Sequence, residues 1–269
     1  MSRRRASGWA GQSLESLQER WARKSVVVYG RIDSTNEAAR ALADEGAPAG
    51  TVVLCREQTA GRGRAGHRWY SPRDAGLYMS VIFRPRSILH PPMLSILAGV
   101  GIVERLDEAF PGLRPGLKWP NDVVAGGRKL GGVLAEAAWS DSHPRHMVVG
   151  VGVNTLPLGQ DAPPDVADRA TSMADVLERD VALIEVADAV LAGLESRLEA
   201  PPATLAGDLL EQVDRYDWLR DRRVRLTLPG ESGGNPGTCV GIAPDGALLF
   251  RPDRGALRRV ADGVADPWT

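Results

Sequence analysis

Residues 117–139 read LKWPNDVVAGGRKLGGVLAEAAW, and they carry the strongest fold signal in the chain. Leu117–Ala125 and Lys129–Trp139 have the composition of strands, and Gly126-Gly127 between them is a turn signal, so a β-hairpin is predicted here. Lys118 stands between two apolar residues. Because lysine is rarely buried without a partner, one interpretation is an anionic ligand beside it. The other is a side chain that reaches the surface.

A second segment, Gly61-Arg62-Gly63-Arg64, alternates bare backbone with guanidinium groups. Glycine lets the backbone approach a ligand closely, and arginine binds carboxylate or phosphate oxygens in pairs. The segment lies in the predicted loop Thr59–Ala75, and loops of that length inside a compact domain are usually functional or mobile. Taken alone, it fits a solvated basic loop equally well.

The remaining pattern predicts an α+β fold, a mixed sheet with helices packed on it and then a small β-barrel. Further strands are predicted at Ser25–Arg31, Thr51–Gln58, Gly76–Arg84 and His146–Val153. Helices are predicted at Ser13–Lys24, Asn36–Glu45, Pro92–Phe110, Val181–Leu198 and Leu205–Trp218. Four or five short strands after Arg223, separated by Gly, Pro and Asp-Gly turns, predict the barrel. Residues 1–12 are expected to be disordered and 155–170 to form a loop.

The composition and net charge argue against some classes of protein. The chain has 269 residues, a formal net charge of -1 and a pI near 6.5, which argues against wholesale binding to nucleic acid or an anionic membrane. Cys55 and Cys239 form no metal or redox motif, and Cys55, which follows an apolar run, is expected to be a buried thiol. His143 and His146 are expected to be exposed. No signal peptide is recognised, so a reduced cytoplasmic protein is expected.

In order along the chain, these motifs resemble the catalytic domain of biotin protein ligases. The resemblance rests on the two segments above together with Ser34-Thr35-Asn36, Glu57-Gln58-Thr59-Ala60, Lys129-Leu130-Gly131-Gly132 and Gly150-Val151-Gly152-Val153-Asn154. It implies a class II synthetase-like catalytic domain over 25–218, after an N-terminal extension over 1–24, and an SH3-like β-barrel over 219–269. Too little sequence precedes Ser25 for a helix-turn-helix unit, so no DNA partner and no membrane partner are expected.

The resemblance also implies an activity. Biotin would be activated by ATP, with Mg²⁺, as biotinoyl-5′-AMP and passed to one lysine of the biotin carboxyl carrier domain of an acyl-CoA carboxylase. The implied biotin contacts are Ser34, Thr35, Asn36, Gln58, Arg62, Gly63, Arg64 and Lys129. The implied ATP contacts are Arg64, Trp69, Lys118, Asn121, Lys129 and Asn154. Lys129, Arg64 and Lys118 are the catalytic candidates, and no residue is assigned to a metal.

Other interpretations remain open at this stage. Ser34 and Thr35 also fit helix caps, Trp69 a core aromatic and Lys129 a solvated residue beside a turn. His67 stands where relatives commonly carry arginine, which leaves its part in phosphate binding open. A lipoate or octanoate ligase is the nearest alternative. A regulator that binds biotinoyl-adenylate without catalysis would need a DNA-binding module, which the sequence does not show.

Overall fold

The computed structural model describes residues 5–22, 25–85, 91–140 and 143–267. The strands in chain order are β1 Gly8–Trp9, β2 Gln12–Ser13, β3 Val26–Tyr29, β4 Val52–Cys55, β5 Gly76–Phe83, β6 Gly116–Lys118, β7 Asp122–Ala125, β8 Arg128–Ser140, β9 His143–Asn154, β10 Arg223–Thr227, β11 Asn235–Ile242, β12 Leu248–Pro252, β13 Arg258–Val260 and β14 Val264–Pro267. The helices are α1 Leu14–Arg20, α2 Thr35–Asp44, α3 Pro91–Ala109, α4 Pro164–Arg169, α5 Met173–Leu177, α6 Leu183–Leu198 and α7 Asp208–Tyr216.

A seven-stranded mixed sheet in the order β3-β4-β5-β9-β8-β7-β6 forms the centre of the molecule. Only β3 and β4 pair in parallel; the other neighbours are antiparallel. Helix α2 packs on one face through Ala38, Ala39 and Ala43, whereas α3 and α6 cover the other. A Cβ on Gly101 would lie 2.3 Å from the carbonyl oxygen of Gly193, so glycine is what lets α3 and α6 approach so closely. The α+β class is confirmed.

The N-terminal segment packs against the edge of this sheet. Ala6 N donates to Val28 O at 2.8 Å, and Trp9, 3% exposed, donates from Nε1 to Cys55 O at 3.3 Å. The expectation of disorder is therefore wrong for residues 5–12, because a buried indole and an edge strand supply contacts that their polar neighbours do not reveal. Residues 1–4 lie outside the described part of the chain. The domain boundaries stay a prediction.

The predicted hairpin is confirmed with one correction. Strands β7 and β8 pair across Gly126 and Gly127, both at positive φ, as the sequence indicated. The single strand predicted over Leu117–Ala125 is instead two strands, β6 and β7, which pair antiparallel around the turn through the cis Trp119-Pro120 bond. Trp119 is 1% exposed and donates from Nε1 to Gly246 O at 3.0 Å, so this turn joins the central sheet to the C-terminal region.

The C-terminal region is an antiparallel sheet in the order β13-β12-β11-β10-β14. The short strands and their tight turns agree with the prediction. Within the described residues the pairings leave this sheet open between β13 and β14. The turn between those two strands faces the central sheet and contributes to the cavity described below.

Some local expectations are corrected. Residues 155–170 contain α4, and α5 was missed although its capping box, Ser172 with Asp175, is readable as a Ser-x-x-Asp signal. His146 was predicted to be exposed, but its side chain is only 1% exposed because it lies under α2. This burial lowers the pKa of His146. The side chain of His143 lies outside the described part of the chain. Cys55 is buried, as predicted, Cys239 is buried as well, and burial raises the pKa of each thiol. No helix in the described ranges is long and apolar enough to cross a membrane.

Candidate active site

One cavity of about 630 Å³ lies between the central sheet, the Gly-Arg loop and the C-terminal sheet. The structure brings every sequence-predicted site residue into its wall. These are Ser34, Thr35, Asn36, Gln58, Arg62, Gly63, Arg64, Trp69, Lys118, Asn121, Lys129 and Asn154. They come from α2, the loop, β6, the turn after β6, β8 and the end of β9, so only the fold places them together.

One end of the cavity is lined by the uncharged side chains of Ser34, Thr35 and Gln58, and Ser80 lies behind Thr35 outside the lining; we call these four residues the neutral end. Gln58 Oε1 accepts from Thr35 N at 2.8 Å and from Thr35 Oγ1 at 3.2 Å. Ser80 Oγ lies 2.8 Å from Thr35 Oγ1. Ser34 stands at the N-cap position of α2 but makes no capping bond with its side chain, so the capping interpretation fails for it. Its buried hydroxyl faces the cavity.

Asn36 connects this end to the Gly-Arg loop. Its Oδ1 accepts from Ser80 Oγ at 2.6 Å, and its Nδ2 donates to Glu136 Oε2 at 2.9 Å. Glu136 Oε1 in turn accepts from Arg62 Nη2 at 2.7 Å, and Arg62 also pairs with Glu37. Hydrogen bonds from Arg40, with the charge of Arg62, hold the pKa of Glu37 below its usual range. Arg62 is therefore anchored to the sheet by two carboxylates.

Three further cations make up what we call the cationic end: Arg64, Lys118 and Lys129. Lys129 Nζ lies 2.6 Å from Asp122 Oδ1, and Lys118 Nζ lies 2.8 Å from Asp266 Oδ1. Arg64 pairs with Asp262. Each cation thus has one carboxylate partner, and all three line a single cavity, which is suited to bringing anionic groups together.

Trp69 lines the cavity beside Gly152 of β9. A Cβ on Gly152 would come within 2.4 Å of the indole ring, so only glycine leaves room for it. Lys129 Nζ is 5.5 Å from the ring centroid. The Nε1 of Trp69 is buried and has no hydrogen-bond partner among the described residues, so the indole offers the cavity apolar surface rather than a donor.

The two asparagines support the wall. Asn121 Nδ2 donates to Val133 O at 2.8 Å, and Asn154 Nδ2 donates to Thr171 O at 3.0 Å. Both residues are buried, and Asn121 holds the backbone of Val133, which lines the cavity. Their contact with a nucleotide stays a prediction, and so does any role for His67, which is exposed at the rim.

Sequence reasoning missed several residues. Ser80 is a polar residue in the middle of the apolar strand β5, and that interruption was a readable signal. Asp122 and Glu136 belong to quoted or adjacent motifs, but nothing in their spacing shows which cation each one meets. Gly150 was quoted without a role; a Cβ there would approach Asn36 Oδ1 to 2.0 Å, so glycine makes room for the amide.

The structure offers no resident metal site for Mg²⁺ in the ranges it describes. No group of three or more His, Cys, Asp or Glu side chains there could hold a metal ion. The cavity carboxylates of Asp122 and Asp266 are each engaged by a lysine. These residues do not fit a protein-held ion, and no step below is assigned to one.

Comparison with known proteins agrees with this geometry. The model of the biotin/lipoate A/B protein ligase family matches residues 28–154. A biotin–[acetyl-CoA-carboxylase] ligase of Mycobacterium tuberculosis is 34% identical over 237 residues, 84% of this chain and 80% of that protein. The bifunctional ligase/repressor BirA of Bacillus spizizenii is 39% identical over 144 residues, 53% of this chain, which cover only 44% of that protein.

The solved structures give the same result. The biotin protein ligase from Aquifex aeolicus in complex with biotin and ATP superposes with a TM-score of 0.71 at 26% identity. The match covers 90% of this chain and 98% of that one, so it includes both the central and the C-terminal sheets. On the sequence match along most of the Mycobacterium ligase, the chain belongs to the biotin protein ligase family.

Proposed function

We propose that this chain is an ATP-dependent biotin protein ligase, which forms biotinoyl-5′-AMP and transfers biotin to a lysine of a biotin carboxyl carrier domain. The observation that carries the proposal is one cavity with a neutral hydrogen-bonding end and a three-cation end. Biotin has a neutral ureido ring and an anionic carboxylate, and ATP supplies the second anion. The names of the relatives support this substrate pair.

The neutral end suits the ureido ring. Hydroxyl and amide groups both donate and accept hydrogen bonds, which matches a ring that carries N–H and C=O groups side by side. The bonds among Thr35, Gln58 and Ser80 set the directions of these groups before a ligand arrives. Ser34, Asn36 and Gly63 complete the biotin contacts of the proposal.

In the first step the biotin carboxylate attacks the α-phosphorus of ATP, the bond to the bridging oxygen breaks, and pyrophosphate leaves. Two anions must meet, and negative charge grows on the phosphoryl oxygens. Fixed cations stabilise such a transition state, and removing one donor of this kind commonly costs about 3 kcal/mol. Lys129 is assigned to the carboxylate and the α-phosphate, Arg64 to the phosphates, and Lys118 to a second phosphate contact. Trp69 is assigned to the adenine or the biotin rings.

In the second step a neutral lysine amine of the carrier attacks the acyl carbon of the adenylate. An amide bond forms, the bond from the carbonyl carbon to the phosphate oxygen breaks, and AMP departs with that oxygen. The amine loses its proton as the amide forms. The charge that returns to the phosphate of AMP meets the same cations, so Arg64 and Lys129 serve both steps.

A carrier-labelling experiment tests the proposal against the lipoate alternative, which the matching family model also includes. The chain is incubated with ATP, a carrier domain and either biotin or lipoate, and the carrier is weighed by mass spectrometry. Biotin added to one lysine is the expected result. Lipoate added instead would select the alternative, and binding of biotin and ATP without any labelling would favour the non-catalytic regulator.

The proposal also covers the metal ion, the protein partner and the location of the chain. Mg²⁺ is proposed to arrive with ATP, held by its phosphates. The partner is proposed to be a carboxylase carrier domain, without DNA or membrane, in the cytoplasm. Biotinylation of a purified carrier with and without EDTA tests the metal.

A further inference from the structure

Two of the three carboxylates at the cationic end come from the C-terminal sheet. Arg64 pairs with Asp262 and also donates from Nη1 to Gly263 O at 3.3 Å. Lys118 Nζ lies 2.8 Å from Asp266 Oδ1. We call residues 262–266, the turn between β13 and β14 with the start of β14, the closing segment. It closes the cavity on the side away from α2, and Gly263, Val264 and Asp266 line the wall.

These carboxylates are more exposed to solvent than the cations with which they pair. The side chains of Asp262 and Asp266 are 60% and 53% exposed, whereas those of Arg64 and Lys118 are 29% and 16% exposed. The carboxylates can therefore turn into water while the cations stay in the cavity. Asp122 and Glu136 differ, since they lie on strands of the central sheet and are 22% and 29% exposed.

Resting on the proposed function, we propose that Asp262 and Asp266 are stand-in anions for the phosphates of ATP. They hold Arg64 and Lys118 in the ligand-free protein and release them when phosphate oxygens arrive, because the phosphate oxygens compete with the carboxylates for the same N–H donors. They are positioning residues that touch no substrate. Their expected effect is to raise the KM for ATP in the native protein while leaving kcat unchanged.

Asp262→Asn and Asp266→Asn test this by measuring pyrophosphate release at saturating biotin. The amide keeps the shape of the side chain and removes its charge. Exposed ion pairs contribute modestly, so each change should lower the KM for ATP about two- to fivefold. The KM for biotin and kcat should not move. Added salt should shrink the difference from the native protein, since exposed charges are screened.

Asp245→Asn and Asp253→Asn are the matched controls. Both residues belong to the C-terminal sheet and pair with an arginine, Asp245 with Arg259 at 2.5 Å and Asp253 with Arg223 at 2.6 Å, but neither lines the cavity. The controls should leave the KM for ATP unchanged. Melting temperatures that match those of the controls exclude a general loss of folding as the cause.

A second measurement does not depend on turnover. Titration calorimetry with inorganic pyrophosphate reports the availability of the cations, and the two cavity variants should bind it more tightly than the native chain and the controls. An unchanged or raised KM for ATP, a lower kcat, or unchanged pyrophosphate affinity would overturn the proposal. A native chain that binds pyrophosphate but never biotinylates a carrier would contradict the proposed function instead.

Discussion

Thr35, Asn36 and Ser80 at the neutral end and its border are at most 4% exposed, and their polar groups are hydrogen-bonded to one another or to neighbouring side chains. Arg64 and Lys118 at the cationic end are held by exposed carboxylates of the closing segment, and Lys129 by Asp122 of the central sheet. The hydrogen bonds of the neutral end are fixed in the folded protein, whereas Arg64 and Lys118 can exchange their carboxylate partners. Fixed bonds suit a ring of one shape, and exchangeable partners leave the cations in place for an incoming anion.

The largest effect is expected from Lys129→Ala at the cationic end. Losing a preorganised cation where carboxylate and α-phosphate meet should lower kcat for pyrophosphate release about a hundredfold or more. The melting curve should change little, since the side chain is 36% exposed and its ion pair is with Asp122. Arg73→Ala, an exposed cation outside the cavity lining, is the control. Near-native turnover of Lys129→Ala would remove this residue from the mechanism.

Asp217→Asn tests the effect of a buried carboxylate that lies between α7 and the first strand of the C-terminal sheet. Asp217 is 7% exposed, and its Oδ2 lacks a hydrogen-bond partner in the described ranges, although Oδ1 accepts from Leu219 N at 3.0 Å. Burial raises the pKa of this carboxyl to about 6. The folded state therefore binds a proton more tightly than the unfolded state, and stability is lost as pH rises from about 4 through about 6.

Asp217→Asn should remove this loss of stability at high pH. At pH 7.5 Asp217→Asn should raise the free energy of unfolding by about 2–3 kcal/mol, and near pH 4 it should match the native chain. Urea unfolding at both pH values measures this. Asp253→Asn, whose exposed carboxylate pairs with Arg223 at 2.6 Å and is not among the charges that shift the pKa of Asp217, is the control. An equal gain at both pH values would show that charge burial is not the cause.

Arg64→Gly separates retention of the adenylate from its formation. Losing charge-assisted bonds to the intermediate should weaken its retention by about 1.5–3 kcal/mol, while Lys129 still promotes its synthesis. Released adenylate would then acylate lysines on bystander proteins. A blot of a non-carrier protein incubated with the variant, biotin and ATP should show labelling that the native chain does not give. Labelling confined to the carrier domain would contradict this role.

The smallest effect is expected from Ser80→Ala at the neutral end. The change leaves Asn36 Oδ1 without the bond it accepts at 2.6 Å, which should weaken biotin binding by about 1–2 kcal/mol. The KM for ATP should not move, because no cation is touched. Ser95→Ala, another buried serine outside the cavity, is the control. A loss of ATP affinity equal to that for biotin would show that the two ends do not act separately.

The motifs and the family resemblance together located residues of the cavity. Arg62, Arg64 and Lys118 were singled out because cations beside glycine or apolar residues suit an anion. Lys129 was assigned by the resemblance, and all four line the cavity. The α+β class and the hairpin at Gly126-Gly127 followed from local periodicity and turn chemistry. These are properties of neighbouring residues, so a single sequence is enough to reveal them.

Pairing between distant segments was decided only by the tertiary structure. Arg64 meets Asp262, Lys118 meets Asp266 and Asn36 meets Glu136, pairs that are 198, 148 and 100 positions apart. Trp9 and His146 are likewise buried by elements that lie far from them along the chain. Local propensity acts over a few residues, whereas packing of the two sheets sets which side chains meet. The motifs therefore indicated the kind of chemistry, but they did not show which side chains pair with each charge.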